Sequence, residues 1–383
     1  MDGDHFASRC ECVTIHFQDD TIPPVELFVK KTVTNSDYAG LLSDMQMFET
    51  EESFFNTIFA DMNNYSRERN GFELEGLLPK CYYADKSLVV LENLFKRGYV
   101  MLDKLKRHTV EQSSIVLTNL ARLHGTSYVL VNELGEDAFL TKYPSLVDAH
   151  MWSEAGAAMN GPFLDSIFHT SLKILQTHPT PGSGKALEHI LQFETEGFFK
   201  LAKYFDLKNP SCARVVCHGD IWGANMMFKQ NEETQEYDEC VIIDFQTAHL
   251  GSPALDLVYY MFLAVDSEAR RSNWKKLLQV YYNAFAETVE KLQGEMKFSL
   301  KDLMNEFRRN AEPGFFFGLF FVFGVKVFEK IPDVENIEGN VMETIIGTLN
   351  DMIEQSITEE GTDFSVAVVE AFQEFQTLVN EQD

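Results

Sequence analysis

The sequence predicts an α+β protein of two lobes, a small sheet-bearing N-lobe over residues 1–95 and a large, mainly helical C-lobe over residues 96–383. Three observations predict it. β-Branched and aromatic runs bounded by turn residues crowd the first 95 positions, helical spacing dominates beyond Gly98, and two short β-like runs interrupt that helical half. With 383 residues, 45% of them apolar, the chain has ample material for a core and is too apolar for a disordered segment.

Residues 9–17 (RCECVTIHF) and 25–33 (VELFVKKTV) are rich in β-branched and aromatic residues. The Asp-Asp and Pro-Pro pairs of the intervening QDDTIPP make a turn, so the two runs pair as strands. Residues 44–64 set Met47, Phe48, Phe54, Phe55, Ile58 and Met62 at helical spacing with acids near the start, which predicts one helix. The polar loop SRERNGFELEG leads to two more short apolar runs, LLPKCYY and SLVVLENL. Over 109–131, Ile115, Leu117, Leu120, Leu123 and Tyr128 among good helix formers predict a long helix. The segment 143–190 carries no clear period, and PTPGSGK at 179–185 reads as loop. The β-like runs ARVVCHGD and ECVIIDFQ follow, split by the polar turn NEETQEYDE. Beyond Pro253 the pattern predicts helices over 254–265, 272–293, 300–309, 314–330, 339–358 and 364–380, with FFFGLFFVF a buried helix. There is no internal repeat and no low-complexity tract.

Composition excludes several functions. The 32 Lys and Arg against 59 Asp and Glu give a net charge of −27, which opposes a polyanion by bulk charge, so nucleic acid is not an expected partner. The longest apolar run, Phe315 to Val325, is 11 residues against the roughly 20 that a spanning helix needs, so no membrane span is expected. The opening MDGDHFASRC has no cationic segment followed by an apolar one, and secretion is not expected. Cysteines 10, 12, 81, 212, 217 and 240 form no C-x-x-C pair, which fits reduced thiols in a cytoplasmic protein. Cys10 and Cys12 alternate along one strand, so they share a face and read as packing residues. GSGK at 182–185 imitates a phosphate-binding loop, but Pro179 and Ala186 stand where that motif needs Gly and Ser or Thr.

The chemistry is concentrated in VVCHGDIWGANMMF, residues 215–228, and CVIIDFQ, residues 240–246. Asp220 and Asp244 each follow a β-like run, and Asn225 stands five residues beyond Asp220. An acid, a carboxamide and a second acid in that order are what phosphoryl transfer asks for: one carboxylate takes the proton of the attacking hydroxyl, and Asn with the second Asp holds Mg²⁺ on the nucleotide phosphates. The D-x-x-x-x-N spacing matches the catalytic loop of eukaryotic-type kinases. Neither H-G-D nor I-D-F is specific alone; the ordered pair with a short hairpin between them is.

These motifs resemble the ecdysteroid-kinase-like (CHK-type) family, relatives of choline kinase and the aminoglycoside phosphotransferases. The pattern C-H-G-D-x-W-x-x-N is met by Cys217, His218, Gly219, Asp220, Trp222 and Asn225, and the Asp-Phe-Gln motif by Asp244, Phe245 and Gln246. Upstream, GDHFAS at 3–8 resembles the nucleotide loop, LFVKK at 27–31 the strand of the ATP lysine, and FETEESFF at 48–55 the helix of its glutamate partner. LPKCYY at 78–83 and VLENLFKRGY at 90–99 resemble the stretch into the hinge, placed at Glu92–Lys96.

The resemblance implies a two-lobed protein-kinase-like fold and an ATP- and Mg²⁺-dependent phosphotransferase acting on a hydroxyl of a small, lipophilic, ecdysteroid-like alcohol. It implies Asp220 and Asn225 as catalytic residues, Asn225 and Asp244 as metal ligands, and Gly3, Ser8, Lys30, Glu51 and Glu92 around the nucleotide. Strand alternation puts Lys30 and Lys31 on opposite faces, so one alone points inward. Glu51 competes with the solvated charges of Glu49 and Glu52. His218 is expected to brace the loop, His124 to be a satisfied core histidine, Asp256 to secure the C-lobe or to serve as a helix N-terminal charge, and Trp222 to cover the acceptor or to pack. The sequence departs from the family where it begins almost on the nucleotide loop, at Ala224 in place of an Asn, and at Asn93 in place of the hinge-side Asp. A monomer is the favoured state. A non-catalytic nucleotide-binding scaffold and a choline- or aminoglycoside-type kinase stay open as other readings.

Overall fold

The computed structural model describes residues 8–19, 21–33, 36–69, 71–103, 106–323, 337 and 339–381. Four antiparallel strands open the chain: β1 (Arg9–Ile15), β2 (Val25–Lys31), β3 (Cys81–Ala84) and β4 (Leu88–Glu92), in the order β1-β2-β4-β3. Between β2 and β3 lie α1 (Ser36–Asp44), α2 (Met47–Ser53), a π-turn over Phe54–Ile58 and α3 (Phe59–Glu68). Phe28 and Lys30 share a sheet face, and the register sets Leu91 and Val89 opposite them. That face meets α2, so its aliphatic residues join the core and Lys30 is carried into the interior with them. Lys31 falls on the other face, half-exposed, and pairs with Glu11.

A short 3₁₀ turn, Leu94–Arg97, leads to β5 (Tyr99–Met101), which pairs with β7 (Met226–Gln230), itself paired with β8 (Tyr237–Ile242). The helical half comprises α4 (Val110–Leu134), α5 (Glu136–Lys142), α6 (Glu154–Thr177), α7 (Ser183–Leu191), α8 (Gly197–Ala202), α9 (Pro253–Ala264), α10 (Ser267–Lys291), α11 (Leu300–Arg309), α12 (Ala311–Phe323) and α13 (Val341–Asn380). Within it, β6 (Val215–Cys217) pairs with β9 (His249–Gly251). α4 starts on a capping box, Thr109 accepting from the Gln112 N–H and Gln112 returning a bond to the Thr109 N–H, and lies along α10. α9 is buried along almost its whole length. The buried pair Arg270–Glu374, bidentate at 2.6 and 2.8 Å, ties α10 to α13. The plan of a small sheet-bearing part followed by a large, mainly helical one is the one observed.

Several expectations need correction. The single helix over 44–64 is α2, the π-turn and α3, and α1 precedes it, parted from α2 by Gln46 in the left-handed region. PTPGSGK is loop only as far as Gly182, whose φ of +101° turns the chain into α7 at Ser183. The short hairpin expected between the two motifs is β7–β8, while the strand of the first β-like run, β6, pairs with β9, which no strand signal at 249–251 announced. The expected helices 339–358 and 364–380 are one helix, because Gly361 does not break α13 but lets it approach His178, whose ring lies 2.5 Å from where a Cβ would stand. Helix 314–330 starts earlier, at Ala311, and its part beyond Phe323 lies outside the described residues. Cys12 is exposed and Cys10 half-buried, so only Cys10 packs.

Candidate active site

β6 is wholly buried and delivers His218-Gly219-Asp220 at its end. Asp256, in the first turn of α9 and 1% exposed, holds this turn: its Oδ2 accepts the His218 N–H at 2.7 Å and its Oδ1 the Gly219 N–H at 3.0 Å. His124 Nε2 lies 3.2 Å from the same Oδ2, and its Nδ1 lies 2.8 Å from the Tyr281 hydroxyl. Burial pushes the Asp256 pKa up, but the bonds from His124 and the His218 backbone outweigh it and hold the carboxyl below its ordinary value. Asp256 therefore fastens the loop from beneath, a more specific job than a helix N-terminal charge. His218 Nδ1 accepts the Asp220 N–H at 3.2 Å and Nε2 donates to the Ile243 carbonyl at 2.9 Å, so both ring nitrogens are spent on bracing. Gly219 cannot be another residue: its φ is +83°, and a Cβ there would stand 2.3 Å from the Thr247 carbonyl oxygen.

Asp220 is held by two donors. The Tyr259 hydroxyl donates to Oδ1 at 2.7 Å, and Asn225 Nδ2 donates to Oδ2 at 2.9 Å and to the Asp220 carbonyl at 2.8 Å. Burial raises the pKa of this carboxyl, the Asp244 charge adds to the rise, and the bonds from Tyr259 and Asn225 only partly offset it. The 225 and 244 segments meet through the backbone, the Ile243 N–H donating to the Asn225 carbonyl at 3.0 Å.

Asp244 follows β8 with a φ of +69°, a left-handed conformation that aspartate tolerates better than most residues. That turn sends the Asp244 side chain and the Phe245 ring to different partners. Asp244 Oδ1 lies 2.7 Å from Lys30 Nζ, which also donates to Glu51 Oε2 at 2.7 Å and to Gln246 Oε1 at 3.0 Å. Phe245 is buried and stacks on Phe54 at 4.0 Å with 5° between the rings, seating the loop on the π-turn that follows α2. Burial alone would lower the Lys30 pKa, yet the Asp244 and Glu51 charges carry it above its ordinary value. Glu51 is 1% exposed, and burial raises its pKa against the pull of Lys30.

Thus Lys30, Glu51 and Asp244 converge, and Asp220 with Asn225 stand beside them. Ser8 is buried and its hydroxyl lies 3.6 Å from the Cys10 thiol, on the strand position paired with Lys30. Gly3 lies outside the described residues. Glu92 does not join the cluster: it accepts from the Lys80 N–H at 2.9 Å and from Arg97 at 3.0 Å. Asn93 accepts the Phe95 N–H and so starts the 3₁₀ turn. Trp222 is half-buried against the core. Two contacts went unread in the sequence, Tyr259 on Asp220 and Gln246 on Lys30. Tyr259 stands three residues after Asp256, hence on the same helix face beneath the loop, and that spacing was the available signal.

The oxygens left over suit a hard cation. Asn225 spends its amide hydrogens on Asp220, leaving its carbonyl oxygen, and Asp244 spends Oδ1 on Lys30, leaving Oδ2. A carbonyl and a carboxylate oxygen are the donors that Mg²⁺ takes. Among the described residues, no group of three or more His, Cys, Asp or Glu gathers into another metal site.

A run of packed aromatic rings starts at Tyr259, the donor to Asp220. The Tyr259 ring lies 4.5 Å from Phe317 of α12, which lies 5.9 Å from Trp152, and Trp152 stacks on Phe205 at 4.4 Å and on Phe198 at 5.6 Å. The apolar run on α12 thus reaches the Asp220 carboxylate through one tyrosine.

Residues 2–294 match the Ecdysteroid kinase-like family. Among curated proteins, an uncharacterized oxidoreductase of Caenorhabditis elegans is 21% identical over 324 residues, covering 80% of this chain and 37% of that protein. An uncharacterized kinase-like protein of the same organism is 26% identical over 125 residues, covering 32% of this chain and 31% of the other. The chain therefore spans about a third of the length of these curated relatives. Among solved structures, a Plasmodium vivax ethanolamine kinase overlaps 92% of this chain and 84% of its own, with a TM-score of 0.42 and 11% identity. A choline kinase from Cryptosporidium parvum overlaps 92% and 91%, with a TM-score of 0.35 and 13% identity.

Proposed function

The chain belongs to the ecdysteroid kinase-like family, and from that premise we propose that it is an ATP- and Mg²⁺-dependent phosphotransferase acting on a hydroxyl of a small, lipophilic alcohol. The observation that carries the reading is the Lys30 ammonium at 2.7 Å from both Glu51 and Asp244, three side chains from three distant segments. Such a buried, charged convergence is costly to assemble and serves a ligand that brings charges of its own.

In this reading Lys30, oriented by Glu51, meets the phosphates, with Ser8 at the edge of the same strand pair. Asn225 Oδ1 and Asp244 Oδ2 would hold Mg²⁺, which when bound neutralises charge on the transferring phosphoryl group. Asp220 accepts the proton of the acceptor hydroxyl as that oxygen attacks the γ-phosphorus and the bond to the β-phosphate oxygen breaks. Burial raises its pKa, which makes it a better proton acceptor than an exposed aspartate. Tyr259 and Asn225, one on each carboxylate oxygen, fix its plane. The packed rings of Tyr259, Phe317 and Trp152 give Asp220 an apolar neighbourhood that supports an apolar acceptor, a steroid among the candidates, and the net charge of −27 disfavours an anionic one. Free thiols at all six cysteines support a reducing, cytoplasmic setting. Among the described residues, no helix is long and apolar enough to cross a membrane.

The test is label transfer from γ-labelled ATP to a panel of sterols, retinoid-like alcohols, choline and aminoglycosides, with Asp244→Ala as the control. Label in an apolar alcohol, absent with the control, is the expected result. Label confined to choline or aminoglycosides overturns the acceptor class, and transfer that survives in Asp244→Ala overturns the site.

A further inference from the structure

The Lys30 ammonium carries three hydrogens, and three oxygens take them: Glu51 Oε2 and Asp244 Oδ1 at 2.7 Å, and Gln246 Oε1 at 3.0 Å. No donor is left. A phosphate oxygen reaches this lysine only by displacing one of the three, and they are not equally displaceable. Removing Lys30 from Glu51 would strand a carboxylate that is 1% exposed. Gln246 is also buried, but neutral, and it follows Phe245, which is locked against Phe54. The Asp244 side chain is 26% exposed, and a second oxygen remains on it for another cation. Asp244 is therefore the partner that yields.

Charge points the same way. With both carboxylates ionised, the lysine cluster is net negative before any ligand arrives, and Asp220 adds to the field. A nucleotide polyphosphate arriving without a cation meets a saturated lysine and a surplus of negative charge.

We propose that Asp244 is a specificity-determining residue that makes the site refuse metal-free nucleotide, holding Lys30 until a divalent cation takes its carboxylate, while Glu51 and Gln246 keep the released ammonium in place. The inference rests on the nucleotide-site reading above and adds which form of the nucleotide the site admits. Gln246 is the neutral member of the cage, so its loss frees a lysine hydrogen without removing charge.

The experiment is equilibrium binding of ADP and of a fluorescent ADP analogue, in EDTA and in Mg²⁺, to the full chain. The wild type binds at least about tenfold tighter with Mg²⁺, the scale of one charge-assisted contact exchanged for another. Asp244→Asn binds in EDTA about tenfold tighter than the wild type does in EDTA, and its gain from Mg²⁺ falls to about twofold or less. Should Asp244→Asn fold poorly, Asp244→Ala carries the same expectation, and a wild-type ratio near one overturns the proposal with no variant at all. Wild-type binding of Mg-ADP without a gain in Asp244→Asn overturns the cage and leaves the nucleotide reading standing. No ADP binding by the wild type in either condition overturns both.

Discussion

Replacing Asp256 by Asn removes what fastens the loop of Asp220. The carboxylate is an acceptor only, and it faces three donors: the His218 N–H at 2.7 Å, the Gly219 N–H at 3.0 Å and His124 Nε2 at 3.2 Å. A carboxamide keeps one acceptor oxygen and turns the other position into a donor. In its better orientation it still accepts from His218 and His124, but its NH₂ then meets the Gly219 N–H, leaving a buried donor unpaired at a cost of about 1–3 kcal/mol. The two surviving bonds lose charge assistance, about 1 kcal/mol each. Relief from burying a charge pulls the sum to its lower end, so the expected loss is about 3 kcal/mol. Urea unfolding followed by circular dichroism at pH 7 reads it as a lower midpoint at unchanged slope. The pH dependence adds a second check. Asp256 has a folded pKa below its ordinary 3.8, so its stabilisation is complete above that value and is lost as pH falls through the folded one. The gap between wild type and variant is full at pH 7 and narrows in acid below about pH 3.8. A loss under about 1 kcal/mol at pH 7, or a gap that persists unchanged in acid, refutes the claim that this carboxylate holds the loop.

Lys30→Met leaves Glu51 buried without its cation, so it should lower stability by about 3–5 kcal/mol and weaken Mg-ADP binding together. Adding Glu51→Leu removes the stranded charge; unfolding should then recover most of the loss while binding does not, and recovered binding would separate Lys30 from the nucleotide. Tyr259→Phe keeps the ring on Phe317 but drops the donor to Asp220, so turnover should fall by about tenfold or more with Mg-ADP affinity unchanged. A parallel loss of ADP affinity, or unaltered turnover, would contradict its place on the carboxylate.

Much of this was legible because local chemistry and tertiary packing agree. Alternation in LFVKK separated Lys30 from Lys31, and the sheet register buries the first while Lys31 reaches Glu11 at the surface. The spacing from Asp220 to Asn225 is short enough that one turn after β6 brings the Asn225 amide onto both the carboxylate and the carbonyl of Asp220. Other features were set by packing over distance. Gly361 lies between the two helices the pattern predicts, yet α13 runs through it, and the His178 ring occupies the space a Cβ there would need. The π-turn opens with Phe54, which stacks on Phe245 from 191 positions away, and no local period announces that contact. Tyr259 and Gln246 were hidden for the same reason: each sits in an apolar or motif setting that explains it without a partner, and only the fold brings Asp220 and Lys30 to them. Glu92 ends β4 at the expected hinge, but the partners of its carboxylate, Arg97 and the Lys80 N–H, are fixed by the strand ends and not by its motif position.

The central claim is that Asp220 accepts the proton of an acceptor hydroxyl beside a nucleotide held by Lys30 and Asp244. Its most direct measurement compares the wild type with Asp220→Asn for ADP release from Mg-ATP in the presence of an apolar alcohol, and for Mg-ADP binding. Acceptor-dependent release that drops at least about a hundredfold in the variant, with binding kept within about threefold, is the predicted result. Release that survives in Asp220→Asn would contradict the assignment of the base, and release that ignores the alcohol would contradict transfer to it.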